Sequence, residues 1–497
     1  MRRFSARRDR VIESQAEQQA ALTPRGVSNA SSRLQTDPHA PIEETYCLHD
    51  LDEDLPRPVN NRTEREAFAV WKKAAQGLAR GHEAITNASR DELRKALVDL
   101  DALFRSAPGS IHKAYRNLTE RRIEKARETF TDSIGDGHLS WSLSEETPEL
   151  AALRMGGLIR EIDRVLAERR SHWPMAPSEW HFEQLGCWFI PRQGVSALRP
   201  ARRGQAYSKR GTLFHRILPT LIQGYPVHVV DTRTLHSAAR NASKWKMGAC
   251  LFKALKLNPE FISVEDDKRF TVASIEAPSA GEAIAVQIGQ ALRENCIAVV
   301  WPELTVPPDL RERIIKLIRE RDVADELEPP EILIPGTWHE AGDHGIVNRA
   351  RIYDGYGEER LTYDKIAPYA DDDWGTENII AGDRICVLAT EGALIGVAIC
   401  LDFCDLCETP FIDLDVDVML VPSMGNDRTM QGHQTTAAQV EVRFGTRSFV
   451  VQHPTHTAFR DGRLGTILPL LKEPNSVSAL QLGQKNVWTA YKWALDT

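Results

Sequence analysis

Gly396-Val397-Ala398-Ile399-Cys400-Leu401-Asp402 is the stretch around which the chain is organised. Small and apolar residues run without interruption into a cysteine, and acidic residues begin directly after it. An apolar run of this length reads as a buried strand, and the end of a strand is where α/β proteins place their reactive side chains. Cys400 is thus either a buried structural thiol, because cysteine packs as a small hydrophobe, or a nucleophile.

Outward from that strand, the chain alternates strand and helix from about Tyr225 onward. Phe270 to Ile275 reads as a strand. Ser279-Ala280-Gly281-Glu282 has the form of a capping box, followed by Ile284, Ile288 and Leu292 on one helical face. Ile297 to Val300 is a short buried strand ending at Trp301-Pro302-Glu303, and Leu310, Ile314, Leu317 and Ile318 mark a helix after Pro307-Pro308. Ile332 to Gly336 is a strand. Gly355-Tyr356-Gly357 joins two strands as a hairpin, and Glu391-Gly392 joins Ile385–Ala389 to Ala393–Cys400 as a second. Val418 to Val421, Thr435 to Phe444 and Ser448 to Gln452 continue as strand, helix and strand. Hairpins mixed with helical crossovers give a mixed sheet covered by helices, so the fold class is α/β.

Three residue types then stand at the ends of strands in one region: Glu303, Lys365 and Cys400. Cleavage of an amide or nitrile by a thiol needs these groups. A carboxylate takes the thiol proton and later activates water, an ammonium stabilises charge developing on oxygen or nitrogen, and a thiolate attacks carbon to form a covalent intermediate.

With their flanks, these residues resemble the nitrilase superfamily of carbon–nitrogen hydrolases over roughly residues 268 to 455. Val299-Val300-Trp301-Pro302-Glu303 is similar to the motif of the general base. Asn348 to Gly357 is similar to the hairpin before the catalytic lysine in Tyr363-Asp364-Lys365. Glu377 falls where many members carry a second glutamate, Gly396 to Asp402 is similar to the nucleophile strand, and Asp417 to Ser423 to the strand after it. The resemblance implies an αββα sandwich and metal-independent chemistry without a cofactor, in a chain that forms a homodimer. It assigns Glu303 as base, Cys400 as nucleophile and Lys365 as electrostatic stabiliser. Glu377 would be a positioning or proton-handling partner of Lys365, and the Leu401 N–H an oxyanion donor. The chain departs from the family at Ala367-Pro368, where a His-Leu pair is frequent, and at Cys404, where an arginine is frequent. The family's serine-and-aspartate turn is not recognisable in Asp461 to Pro469.

Other readings stay open. Cys400, Cys404 and Cys407 have the C-x3-C-x2-C spacing of an iron–sulfur site, and with His433, His453 or His456 they could hold zinc. A binding module that kept the fold and lost turnover is a third class. Asp371-Asp372-Asp373, between Lys365 and Glu377, is a solvated acidic loop or the rim of an entrance that favours cationic or neutral substrates.

The rest of the chain bounds the context. Its 497 residues suffice for two or three domains, and 42% hydrophobic with 27% charged residues is an ordinary globular balance. A net charge of -8 gives no overall attraction to nucleic acid. The eight cysteines, without a secretory signal, point to free thiols and the cytoplasm, and no stretch approaches the ~20 apolar residues of a membrane span. Residues 1–60 lack an apolar period and read as a disordered tail. Residues 61–224 read as a mostly helical domain able to receive a protein partner, and 225–497 as the hydrolase domain. Within the former, Ser89-Arg90-Asp91-Glu92 is a capping box before Leu93, Leu97, Leu100 and Phe104. Asn60 to Ala79, Ser110 to Phe130 and Glu149 to Leu166 are further amphipathic helices. His172 to Arg192, aromatic and broken by prolines, reads as a linker packed on a neighbouring core, and the basic run Arg199 to Arg210 as a solvated loop.

Overall fold

The computed structural model describes residues 61–83, 85–144, 147–169, 176–192, 205–232, 245–264, 267–320, 327–390, 393–406, 409–454, 463–468, 480–482 and 488–493. The expected tail at 1–60, Trp173, the first half of the basic run, the Glu391-Gly392 turn, Cys407 and His456 lie outside them.

The N-terminal region is helical because its apolar residues recur at the helical period and its helix starts are capped. Ser89, in extended conformation, accepts from the Glu92 amide while Glu92 accepts from the Ser89 amide at 2.8 Å. The Arg90–Arg105 helix that follows buries Leu93, Leu97, Leu100 and Phe104 completely. Ser89→Ala is expected to cost about 1 kcal/mol of stability, read by urea denaturation. The helix expected over Ser110 to Phe130 is instead two, Gly109–Asn117 and Glu120–Glu128. Thr119 breaks it by adopting an extended backbone and capping the second helix at Arg122. Pro148–Arg169 is the central helix, and it lies so close to Glu120–Glu128 that a Cβ on Gly157 would stand 2.7 Å from the Ala126 carbonyl carbon.

Arg210 departs from the solvated-loop reading. It is fully buried, donating to the Tyr115 and Leu118 carbonyls and to Glu120 at 2.5, 2.9 and 2.7 Å. The end of the Gly109–Asn117 helix leaves carbonyls without intrahelical partners, and a guanidinium fork satisfies them.

The aromatic stretch forms Cys187–Pro191, paired antiparallel with His215–Pro219. Because strand side chains alternate, Cys187 and Phe189 pack into the helical core while Ile190 packs with Trp180 into the core of the larger sheets.

Two large sheets follow. In the seven-stranded one, Ala298–Val300 lies parallel to Trp245–Cys250 and Ile332–Ile334, and Ile332–Ile334 is antiparallel to Gly345–Tyr353. Val299 faces the helices Ala280–Arg293 and Pro308–Arg319, whereas Ala298 and Val300 share a core with the eight-stranded sheet. In that second sheet Leu394–Val397 is flanked by the parallel Val418–Met424 and the antiparallel Ile385–Ala389. The helix Asp427–Phe444, capped by Asn426, buries Met430, Ala437 and Val440 against this core. It begins eight residues before the expected Thr435. Both expected hairpin pairings are present, but Ser279 does not cap its helix. Its φ of -109° and ψ of 17° lie outside the extended region that side-chain capping needs. A separate four-stranded sheet carries Gly375–Glu377 beside Asp267–Glu276.

The helical region is tied to the second sheet by buried charge. Arg216 donates to Asp415 and Asp417 at 2.6 and 2.7 Å, and Asp417 also accepts the Leu394 amide at 2.9 Å. No helix among the described residues is long and apolar enough to cross a membrane.

Candidate active site

The two large sheets end at a shared place, and each delivers part of one cluster. Glu303 stands three residues beyond Ala298–Val300, after Trp301 and Pro302. Lys365 follows Glu359–Asp364 immediately, and Glu377 ends its short strand. Cys400 stands three residues beyond Leu394–Val397, at the start of a tight turn with φ of 46°. A side chain in the left-handed region costs of order 1 kcal/mol or more, so the surrounding contacts must hold it.

Those contacts are visible. Asp402 accepts from the Tyr363 hydroxyl at 2.6 Å and from the Ile366 and Ala367 amides at 3.1 and 2.7 Å. One carboxylate thereby clamps the turn after Lys365 to the turn that carries Cys400. Its burial pushes its pKa up to about 6. The Cys400 thiol donates to the Met424 carbonyl at 3.2 Å, and the Met424 amide donates to Glu303 Oε2 at 3.1 Å.

Lys365 Nζ lies 2.7 Å from Glu303 and 2.6 Å from Glu377. All four side chains are at most 2% exposed. Burial disfavours the ammonium, but Glu303, Glu377 and Cys400 outweigh it and raise the Lys365 pKa well above its usual range. The carboxylates are pushed apart. Burial raises Glu303 above the ordinary value despite Lys365; burial would raise Glu377 as well, but Lys365 and His339 hold it below the usual carboxylate range. Burial, followed by the Glu303 charge, lifts Cys400 well above 9, so the resting group is the neutral thiol. The structure therefore gathers Glu303, Lys365, Glu377 and Cys400 into one buried set, with the pKa of Lys365, Cys400 and Glu303 raised and that of Glu377 lowered. Leu401, next to Cys400, is buried in the same turn.

Two further residues that contact this set were not assigned from the sequence. Asn348 donates to Glu303 at 2.9 Å and to Glu377 at 2.7 Å, and His339 meets Glu377 at 2.9 Å. The other sulfur and imidazole candidates have protein partners: Cys404 donates to the Thr429 carbonyl, His433 lies 2.9 Å from Ser423, and His453 meets the Pro454 carbonyl. Among the described residues no group of three or more His, Cys, Asp or Glu is arranged to hold a metal ion. Asp372 and Asp373 are exposed on the loop before Glu377.

Comparison with solved structures finds amidases from Nesterenkonia sp. A crystal structure of one is 16% identical, covering 51% of this chain and 91% of that chain with a TM-score of 0.35. A cysteine-to-alanine variant from strain AN1 in complex with butyramide is 16% identical over 51% of this chain and 92% of that one, with a TM-score of 0.36. A cysteine-to-alanine variant described as an amidase from the nitrilase superfamily is 15% identical, covering 51% and 92%, with a TM-score of 0.34. The likeness is to amidases. No family model and no curated protein matches the chain. At such scores the likeness carries no weight for function, which rests on the site itself.

Proposed function

We propose that the chain is a thiol-dependent hydrolase that cleaves a non-peptide C–N bond of an amide, nitrile or N-carbamoyl compound through a covalent Cys400 intermediate. The observation that carries this reading is the pair of ion contacts from Lys365 to Glu303 and Glu377, with Cys400 tied to Glu303 through Met424. The layer order that fits the two cores is helix, sheet, sheet, helix, the αββα sandwich the resemblance implies.

For an amide, Glu303 Oε2 takes the thiol proton as Sγ bonds to the carbonyl carbon, and the π pair moves to oxygen. The Lys365 ammonium and the Leu401 N–H stabilise that oxyanion. As the carbonyl re-forms, the C–N bond breaks and Glu303 returns its proton to the leaving nitrogen, giving a thioester and ammonia or an amine. Glu303 then deprotonates water, which adds to the thioester carbon; the C–S bond breaks, the acid leaves and the thiol is restored. A nitrile instead takes the thiol across its C≡N bond to give a thioimidate; a first water adds to that carbon, ammonia leaves as the thioester forms, and a second water releases the acid and restores the thiol. Glu377 keeps Lys365 charged and aimed.

The test is intact mass and ammonia release after incubation with aliphatic amides, nitriles and N-carbamoyl compounds, wild type beside Cys400→Ala. An adduct or ammonia signal that is absent in Cys400→Ala is expected. Turnover that survives in Cys400→Ala, or no adduct together with stoichiometric iron or zinc lost on Cys404→Ala, sinks the reading.

A further inference from the structure

His339 and Asn348 face each other across the antiparallel strands Thr337–Gly342 and Gly345–Tyr353. A tight turn at Asp343 and His344 sets Gly342 opposite Gly345, and three steps outward the same register sets His339 opposite Asn348. On the other side of Asn348, its carbonyl accepts the Lys365 amide at 2.9 Å. Three neighbouring strands thus hold His339, Asn348 and Lys365 in one row at the site.

The direction of each hydrogen bond follows from its partner. The Val272 N–H donates to His339 Nδ1 at 2.8 Å, and a backbone amide has no other role to play there. Nδ1 therefore carries a lone pair and the proton sits on Nε2, which donates to Glu377 Oε1. Asn348 turns its Nδ2 toward both carboxylates, while its buried Oδ1 has no partner among the described residues. An orphaned buried acceptor costs on the order of 1–3 kcal/mol, so the two donations to carboxylates set the orientation of that amide.

Glu377 then accepts four hydrogen bonds: from His339 and Asn348 at Oε1, and from Lys365 and the Tyr369 amide at Oε2. A carboxylate offers about four acceptor sites, so this one is saturated as an anion. Glu303 accepts from Lys365 and Asn348 at Oε1, while its Oε2 accepts the Met424 amide. Two equivalent carboxylates around one ammonium would share any proton that arrived.

We propose that His339 and Asn348 are positioning residues that make the two carboxylates unequal, fixing Glu377 as the permanent counter-ion of Lys365 and leaving Glu303 as the carboxylate that exchanges a proton with Cys400. The catalytic half of this inference rests on the thiol-hydrolase reading; the hydrogen-bond half does not. The titratable groups that meet in this cage are Glu303, Glu377, Lys365, His339 and Cys400. With Nδ1 occupied by the Val272 N–H, His339 turns Nε2 to Glu377 as its donor.

Two measurements test it. In protein labelled with 15N-histidine, the His339 signal, identified by its loss in His339→Gln, is expected to show the Nε2–H tautomer. An imidazolium at neutral pH overturns the cage. In kinetics, folded His339→Leu frees one acceptor site on Glu377, and the acid limb of kcat/KM is expected to move up by about one pH unit and steepen toward two protons. Asn348→Asp, which adds a third carboxylate, moves the limb in the same direction. His339→Gln restores the wild-type limb, because its carboxamide can accept from Val272 and donate to Glu377. A uniform fall in kcat with an unmoved limb in His339→Leu overturns the proposal and leaves a merely structural residue. If no amide or nitrile is turned over, the hydrolase reading fails by itself. The same limb is then read from the pH dependence of Cys400 alkylation by iodoacetamide, and the tautomer measurement stands unaffected.

Discussion

Lys365→Met is expected to lower turnover by about 10²–10³-fold or more and to destabilise the protein by about 3–5 kcal/mol. The two losses have different origins. Turnover is expected to fall because the proposed oxyanion loses a buried positive charge, which acts more strongly there than in water. Stability falls because Glu303 and Glu377, both at most 2% exposed, are left facing each other with no cation between them. The sign of the pH dependence separates this cause from simple loss of packing, which methionine largely preserves. In the wild type, Lys365 has a raised pKa, so its contribution is fully present below the ordinary lysine range and is lost only in strong alkali. Glu377 has a lowered pKa, so its contribution is present above the ordinary carboxylate range and is lost only in acid. Without Lys365 both carboxylates rise above their unfolded values, the folded state binds more protons than the unfolded one, and stability increases as pH falls. Urea denaturation at about pH 8 and pH 5 should therefore show the deficit of Lys365→Met shrinking toward acid. An equal deficit at both values would mean that the carboxylates are not what the lysine holds.

Glu303 and Cys400 could be singled out because they stand just beyond apolar runs that are read locally, and Lys365 because it closes a hairpin strand, whereas Glu377 came only from the order of residues in the resemblance. His339 and Asn348 were not assigned, although Asn348 lies within a quoted motif. Their role depends on register, which is a relation between two strands and a turn. The signal was present in Gly342-Asp343-His344-Gly345, a two-residue turn flanked by glycines, and counting outward from it pairs the two polar side chains. Arg210 was misread for a related reason. A basic residue in a basic run has the composition of a solvated loop, and only the helix end that it caps, some ninety residues earlier in the chain, explains its burial. The helix break at Thr119 and the missing cap at Ser279 show that a capping residue acts only where its backbone is extended. Tertiary packing sets that conformation.

Glu303→Gln is expected to slow formation of the covalent intermediate by about 10²–10⁴-fold, the range of a lost general base, with little change in fold. Glutamine keeps the size of the side chain and can still accept from Lys365, but it cannot take the proton from a thiol whose own pKa is raised well above 9. The pH profile carries the diagnosis. In the wild type the rate should fall toward acid as Glu303 is protonated, with the midpoint above the ordinary glutamate value because burial raises it. In Glu303→Gln that acid limb disappears, and the residual rate climbs with pH as unaided thiolate forms, without a plateau below about pH 9. Rates of mass-adduct formation, measured across pH for both proteins, read this directly. A Glu303→Gln enzyme that kept the wild-type acid limb would place the base elsewhere. Glu377 would be a poor substitute, since all of its acceptor sites are occupied in the resting site and its proton affinity is held low by the lysine it orients.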